Sequence, residues 1–323
     1  MINTLEIKNF KSIKNLSIKC KKINIFIGGP NTGKSNILES LGVFSFGCYG
    51  SYDNVKNFVR FETLSNLFYD EEIDKGVEIK CDEVTFRLTY ENGNFNWNYK
   101  NLKTNAILSN FYTDDICSGN FSFTRNLSKF KFYRFIPRNI FPRKTAEFLL
   151  PASGPNLLSL LLSNKNLKNV VREMLSPFNL RLGFRIQENK IEVLKEYEDV
   201  IISYPYSLIS ETLQRTIFYL AAVVSNDNSI LVFEEPEAHS FPFYTKYLAE
   251  KIALDSTNQY FISTHNPYFI LSILEKAKKT EIQIFITYFE NYKTKIKPLN
   301  ESDIEEILNL GMDVFFNLER FLK

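Results

Sequence analysis

The residues best equipped for chemistry form one unbroken run, Gly28-Gly29-Pro30-Asn31-Thr32-Gly33-Lys34-Ser35, a complete G-x-x-x-x-G-K-S. Such a run suits a phosphate-rich ligand. Its glycines let successive backbone N–H groups turn toward phosphate oxygens, the Lys34 ammonium neutralises the β and γ groups, and the Ser35 hydroxyl can ligate Mg2+. Gly28, Pro30, Asn31, Thr32, Gly33, Lys34, Ser35 and Asn36 are therefore the expected binding residues for a nucleoside triphosphate.

A second segment, Ile230-Leu231-Val232-Phe233-Glu234-Glu235-Pro236-Glu237-Ala238-His239, is an apolar strand that stops abruptly at consecutive carboxylates. Charges set beside a core need a cation or a polarised water. Next to a phosphate loop, the pattern assigns Glu234 to the metal ion and Glu235 to a general base that takes a proton from attacking water. The usual first acid is Asp, so Glu234 keeps the charge and changes the reach. A third apolar strand ends at Ser263-Thr264-His265-Asn266-Pro267, where the imidazole can donate to a γ-phosphate or to the attacking water. His239, the other of the two histidines, either shares that edge or only shapes the loop after the base.

Two further segments have a chemical and a structural reading each. Ser210 precedes an apolar helix, so its hydroxyl and the free N–H groups behind it make either a phosphate contact or a simple helix cap. The stretch Arg125 to Lys144 carries seven basic residues and no acids, interleaved with Phe130, Phe132, Tyr133, Phe135 and Phe141. It reads as a DNA-binding surface, or as a strand with Phe130 and Phe132 inward and Lys129 and Lys131 outward.

These groups must be positioned by regular elements. Alternation predicts strands over residues 3 to 9 and 15 to 19 with a turn around Lys11 to Lys14, then a short apolar strand Ile23 to Ile27 and a helix from Lys34 to about Phe44. Val77 to Cys81 and Val84 to Tyr90 read as strands, with Asn92-Gly93 as a hairpin signal before Phe95 to Tyr99. The last third alternates helix and strand, which predicts a parallel sheet covered by helices. The fold class is thus α/β, a P-loop NTPase with a parallel core sheet, an antiparallel β-rich region and a helical insertion. The expected division is a split core of residues 1–45 and 200–290, a β-rich insertion 46–145, a helical and β lobe 146–199, and a C-terminal cap 291–323.

Composition sets bounds. The chain has 323 residues, 44% apolar and 24% charged, within the usual globular range. Lys and Arg barely exceed Asp and Glu, 39 against 37, so any nucleic-acid contact must be local. The four cysteines are widely spaced with no C-x-x-C pair, which suggests reduced thiols and no zinc set. No signal core and no long apolar run is present, so a cytoplasmic protein without membrane attachment is expected.

The segments N9FKSI13, G28GPNTGKS35, G154PNLLSLL161, S210ETLQR215, E234EPEAH239 and S263THNP267, in this order, resemble ABC-type ATPases of the chromosome-maintenance and DNA-repair class, and most closely the ATPase part of the overcoming-lysogenization-defect (OLD) family. The resemblance implies ATP and Mg2+ as cofactors, with Lys34 and Ser35 as Walker A residues, Glu234 and Glu235 as Walker B acids and His265 as the switch histidine. It implies a head-to-tail dimer formed on ATP, in which the signature serine, here Ser210, reaches the γ-phosphate of the partner. The signature usually reads Ser-x-Gly, and Thr212 stands where the glycine would be. Lys11 falls where relatives hold a basic residue near the nucleotide. Only 58 residues follow His265, too few for the TOPRIM nuclease of full-length OLD proteins, so any nuclease or toxin is expected to be a separate partner. Two other functional classes fit the motifs: a non-hydrolysing nucleotide sensor and the ATPase subunit of an ABC transporter.

Overall fold

The structure is a computed structural model that describes residues 1–322. The chain opens with β1 (Thr4–Phe10), β2 (Ile13–Lys19) and β3 (Ile23–Gly28), followed by the glycine-rich loop and helix α1 (Lys34–Tyr49). A short α2 (Val55–Phe58) leads to β4 (Val77–Cys81), β5 (Val84–Glu91), β6 (Asn94–Asn101), β7 (Ile107–Thr113) and β8 (Phe130–Tyr133). Next come α3 (Leu157–Ser163), α4 (Lys165–Leu175), β9 (Leu180–Arg185), β10 (Lys190–Tyr197) and β11 (Val200–Pro205). The last third runs α5 (Glu211–Val224), β12 (Ile230–Glu234), α6 (Pro242–Leu254), β13 (Gln259–Ser263), α7 (Pro267–Lys276), β14 (Ile282–Glu290), β15 (Lys293–Pro298) and α8 (Glu301–Leu310).

The core sheet has the order β15-β14-β3-β13-β12-β8, with all neighbours parallel except the β14–β15 hairpin. Every residue of β3 is buried, because both faces of the sheet are covered. Ile23, Ile25 and Ile27 pack into one apolar cluster, whereas Phe26 packs into the other, the two-residue period of a pleated strand. Three parallel strands, β3, β12 and β13, end on the same edge, and the loops that follow them carry the candidate chemistry.

A second sheet, antiparallel with order β2-β1-β4-β5-β6-β7, lies on the other side of α1. Tyr99 of β6 donates its hydroxyl to the Val43 carbonyl of that helix at 3.0 Å, while α1 also packs on β8, β12 and β13. A helix sandwiched between two sheets must be apolar nearly all round, and 13 of the 16 residues of α1 are buried.

The sheets do not follow the four-part division expected from the sequence. Strands β1 and β2 join β4 to β7, with Leu5 opposite Cys81 and Ile7 opposite Ile79, and β8 completes the core sheet from inside the supposed insertion. Strand β15 likewise belongs to the core although it starts at residue 293. Alternation reveals which face of a strand is buried, but a ladder partner 70 residues away leaves no local mark.

The stretch from Arg125 to Lys144 also departs from its alternating-strand reading. Phe130, Lys131, Phe132 and Tyr133 are all buried, so the two-sided alternation fails. The Lys131 ammonium bonds Asn226 and lies 3.5 Å from the centre of the Phe148 ring, and burial pulls its pKa down to about 8. Arg134 and Arg138 are held by internal carboxylates. Three of the seven cations and the Phe130, Phe132 and Tyr133 rings are thus spent inside the fold. Among the described residues, no helix is long and apolar enough to cross a membrane, and the four cysteines are free thiols.

Candidate functional site

The glycine-rich loop is shaped by two close approaches. Gly28, at φ 152°, passes so near β14 that a Cβ would lie 2.3 Å from the Thr287 carbonyl oxygen. Gly33, at φ 93°, leaves no room for a side chain beside Thr294 and starts α1 in the left-handed region. Lys34 folds back over this loop and donates to the Gly28 and Gly29 carbonyls at 2.9 and 2.7 Å. Thr32 bonds Gly29 O and Thr287 Oγ1, which braces the loop against β14. Asn31 adopts φ 57°, and Pro30 and Asn31 are exposed on the outer rim. Asn36 turns away and donates to Ser12 Oγ at 2.7 Å, which in turn meets Thr294.

Burial lowers the Lys34 pKa to about 8, against the opposing pull of Glu235. Lys34 must be protonated to neutralise phosphate. Each pH unit above about 8 therefore costs up to tenfold in affinity until the pKa of the complex is reached, whereas affinity is flat below about 7. Calorimetric titration with Mg-ATP at pH 7, 8 and 9 is expected to show this loss, and a constant Kd would refute the assignment.

At the end of β12, Glu235 takes a left-handed backbone, φ 44°, and its N–H still bonds Ser263 O at 3.0 Å, a last tie to β13. A non-glycine residue held there is strained, a feature that clusters at functional sites. Its carboxylate lies 3.4 Å from His265 Nε2, and both side chains are nearly half exposed. Burial and the Lys34 charge lower the His265 pKa, with Glu235 opposing, so the imidazole is neutral near pH 7. Lys34, Glu235 and His265 thus converge from three separate loops.

Glu234 sits in a charge network that no motif announced. Its Oε1 accepts from Arg60 at 2.9 Å and its Oε2 from Arg134 at 2.9 Å. Arg60 and Arg134 also grip Glu39 of α1, and Lys11 completes the ring by pairing with Glu39. Burial raises the Glu234 pKa, but Arg134 and Arg60, with Ser35 donating, outweigh it and hold the carboxyl below its ordinary range. Ser35, Arg60, Arg134, Arg215, Tyr219, Glu234, Glu235 and His239 line one cleft of about 380 Å3.

Residues 1–132 match the AAA ATPase domain family. Over 88 residues the chain is 38% identical to an ATP/GTP phosphatase of Helicobacter pylori, and over 89 residues 35% identical to the DNA replication and repair protein RecF of Clostridium kluyveri. Each alignment covers 24% of this chain, and the chain spans only 24% and 23% of these relatives' own lengths. A solved Smc head, bound to the C-winged helix domain of ScpA, superposes over 94% of this chain and 99% of its own, with a TM-score of 0.53 at 14% identity. At that identity the likeness shows the fold: the chain is folded as an Smc head is. An Smc head with an extended coiled coil, bound to a ScpA domain derived from Pyrococcus furiosus, also covers 95% of this chain at a TM-score of 0.50 and 12% identity.

Two expected site residues stand apart from this convergence. Ser210 caps α5, accepting from Leu213 N at 3.4 Å, and its side chain is exposed. Two residues on, Thr212 Oγ1 donates to His239 O at 2.7 Å, which ties the signature segment to the turn after Glu235. Lys11 lies under the network, its ammonium on Glu39 and the Arg60 carbonyl, and burial lowers its pKa. Arg60, Arg134 and Glu39 were missed in the sequence. The available signal was Glu39, the one charge in α1 after Lys34, which a buried helix cannot carry without a cation.

Proposed function

We propose that this protein is an SMC/RecF-like ABC-type ATPase that binds ATP with Mg2+ over the glycine-rich loop and hydrolyses it, and that two copies associate head-to-tail when ATP is bound. The residues fit such a group: a cradle where side chains are excluded, an ammonium folded over backbone carbonyls, and a hydroxyl beside a carboxylate. Bound Mg2+, held by Ser35 and Glu234, would offset the phosphate charge. Lys34 neutralises the triphosphate, and Asn31, Thr32 and Gly33 turn their N–H groups to it. Glu235 accepts the proton of a water that attacks the γ-phosphorus as the bond to ADP breaks, and His265 donates to the γ-phosphate oxygens. The observation that carries this reading is the convergence of Lys34, Glu235 and His265.

In the dimer, the exposed Ser210 and the N–H groups at the start of α5 would face the partner's γ-phosphate. ATP then acts as glue, and its hydrolysis as release, for a separate nuclease or toxin or for a DNA transaction. Mass in solution with and without Mg-ATP tests this directly. A dimer that needs ATP, and that Ser210→Arg abolishes without loss of ATP binding, is the expected result; a monomer under both conditions contradicts it.

One observation favours a second reading, a nucleotide sensor that does not turn over. Both Glu234 oxygens are held by guanidinium groups, so use of this carboxylate for Mg2+ requires Arg60 or Arg134 to turn aside. Phosphate release under multiple-turnover conditions separates the two readings.

A further inference from the structure

The turn after β12 buries a carboxyl group that the proposed chemistry does not use. Glu237 is 5% exposed and stands two residues beyond the candidate base. Its Oε1 accepts the hydroxyl of Thr264 and, at 3.4 Å, the backbone N–H of His265. Thr264 Oγ1 accepts in turn from the Asn266 N–H at 3.0 Å. Asn266 then caps α7 through Tyr268 N and Phe269 N, at 2.9 and 3.3 Å. Both neighbours of His265 are therefore pinned, and the pins lead back to one side chain.

Among the described residues, Glu237 Oε2 is buried with no partner, and so is the strand-end hydroxyl Ser263 Oγ. Burying such an oxygen is costly, and burial accordingly raises the carboxyl pKa to about 7. An apolar side chain would avoid that cost, yet it would leave the Thr264 hydroxyl and the His265 N–H without this acceptor. The His265 ring meets Phe315 at 6.2 Å between centroids, and Glu235 and His265 are themselves nearly half exposed. Their 3.4 Å approach depends on the heights of their two loops. Besides the Glu235–His265 contact itself, those loops are tied among the described residues by Glu235 N to Ser263 O and by Glu237 to the Thr264–His265 pair.

We infer that Glu237 is a positioning residue, a strut that holds the His265 loop in register with Glu235 without touching the nucleotide. The inference rests on the hydrolytic reading for its catalytic consequence, but not for its structural one. A shift of about 1 Å between such groups can cost on the order of 100-fold in rate. Removal of the strut should therefore lower kcat and leave ATP affinity intact, because the P-loop is braced by Thr287 and Thr294 instead.

The test compares Glu237→Ala, Glu237→Gln, Thr264→Val and the Glu237→Ala/Thr264→Val pair in the full chain. Glu237→Ala and Thr264→Val are each expected to lower kcat about 10- to 100-fold with KM for ATP within about threefold. The pair should be no worse than either alone, because both break one link. Glu237→Gln keeps the acceptor oxygen and should recover most of kcat. Two histidines make the imidazole signals separable by NMR of histidine-labelled protein, and Thr264→Val should shift or broaden the His265 signal. Thr264→Val also guards against a Glu237→Ala chain that fails to fold. Full kcat in both single variants, KM rising in step with the loss, additive effects in the pair, or an unmoved His265 signal would each overturn the strut. A wild-type chain that binds ATP without turnover sinks the hydrolytic reading instead, and the imidazole signal then decides the strut alone.

Discussion

Glu235→Gln is expected to lower ATP turnover by about 100- to 10 000-fold while ATP still binds, the range that removal of a positioned general base produces. The amide keeps the size and hydrogen-bonding reach of the carboxylate but cannot take a proton. The seat of Lys34 in the P-loop is the Gly28 and Gly29 carbonyls, which the change leaves in place. Loss of the negative charge also removes the group that opposes the burial of Lys34 and His265, so nucleotide affinity is expected to change only a few-fold. If two copies close on ATP, the variant should accumulate as a nucleotide-bound dimer. Steady-state phosphate release and mass in solution check both outcomes. Turnover within threefold of wild type would remove Glu235 from the role of base and favour the sensor reading.

Glu39→Gln is expected to be the most damaging single substitution for stability. Glu39 is wholly buried and pairs with Lys11, Arg60 and Arg134. Removing one partner of a buried ionic network leaves the remaining charges uncompensated, which costs about 3–5 kcal/mol. Arg60 is more than half exposed and its share is screened, so the lower end applies, about 3 kcal/mol. Thermal unfolding should fall by about 5 °C or more, and urea unfolding should shift to lower midpoint with little change in slope. Glu39→Gln combined with Arg134→Gln should lose less than the two changes summed, because each relieves the other. A melting temperature within about 1 °C of wild type would mean that water, not the protein, compensates this carboxylate.

The consequence for the site is direct. Arg134 and Arg60 are shared between Glu39 and Glu234, so what Glu39 releases, Glu234 receives. The network therefore sets how readily the candidate metal ligand is freed. In the sequence Glu234 was an acid at a strand end; in the fold it is one corner of a ring of five charges.

The same contrast holds along the chain. The apolar helix expected after Ser210 and the Asn92-Gly93 turn are present, the former as Glu211–Val224 and the latter with φ 50° and 83°. Helical spacing and a turn that needs positive φ are local constraints, written within a few residues. The expected outward position of Lys131 is wrong for the opposite reason. Period-two alternation assumes one wet face, whereas β8 is covered on both.

The sequence by itself determined the phosphate loop, the two strand-end segments and the α/β alternation, because each is a contiguous run whose backbone geometry and polarity change are set by its own residues. Only the tertiary structure decided which strands share a sheet, that Arg134 reaches Glu39 across 95 residues and Arg60 reaches Glu234 across 174, and that Glu237 meets the His265 loop. Those contacts form when packing closes long loops, and a closed loop leaves no periodic trace in the residues that meet.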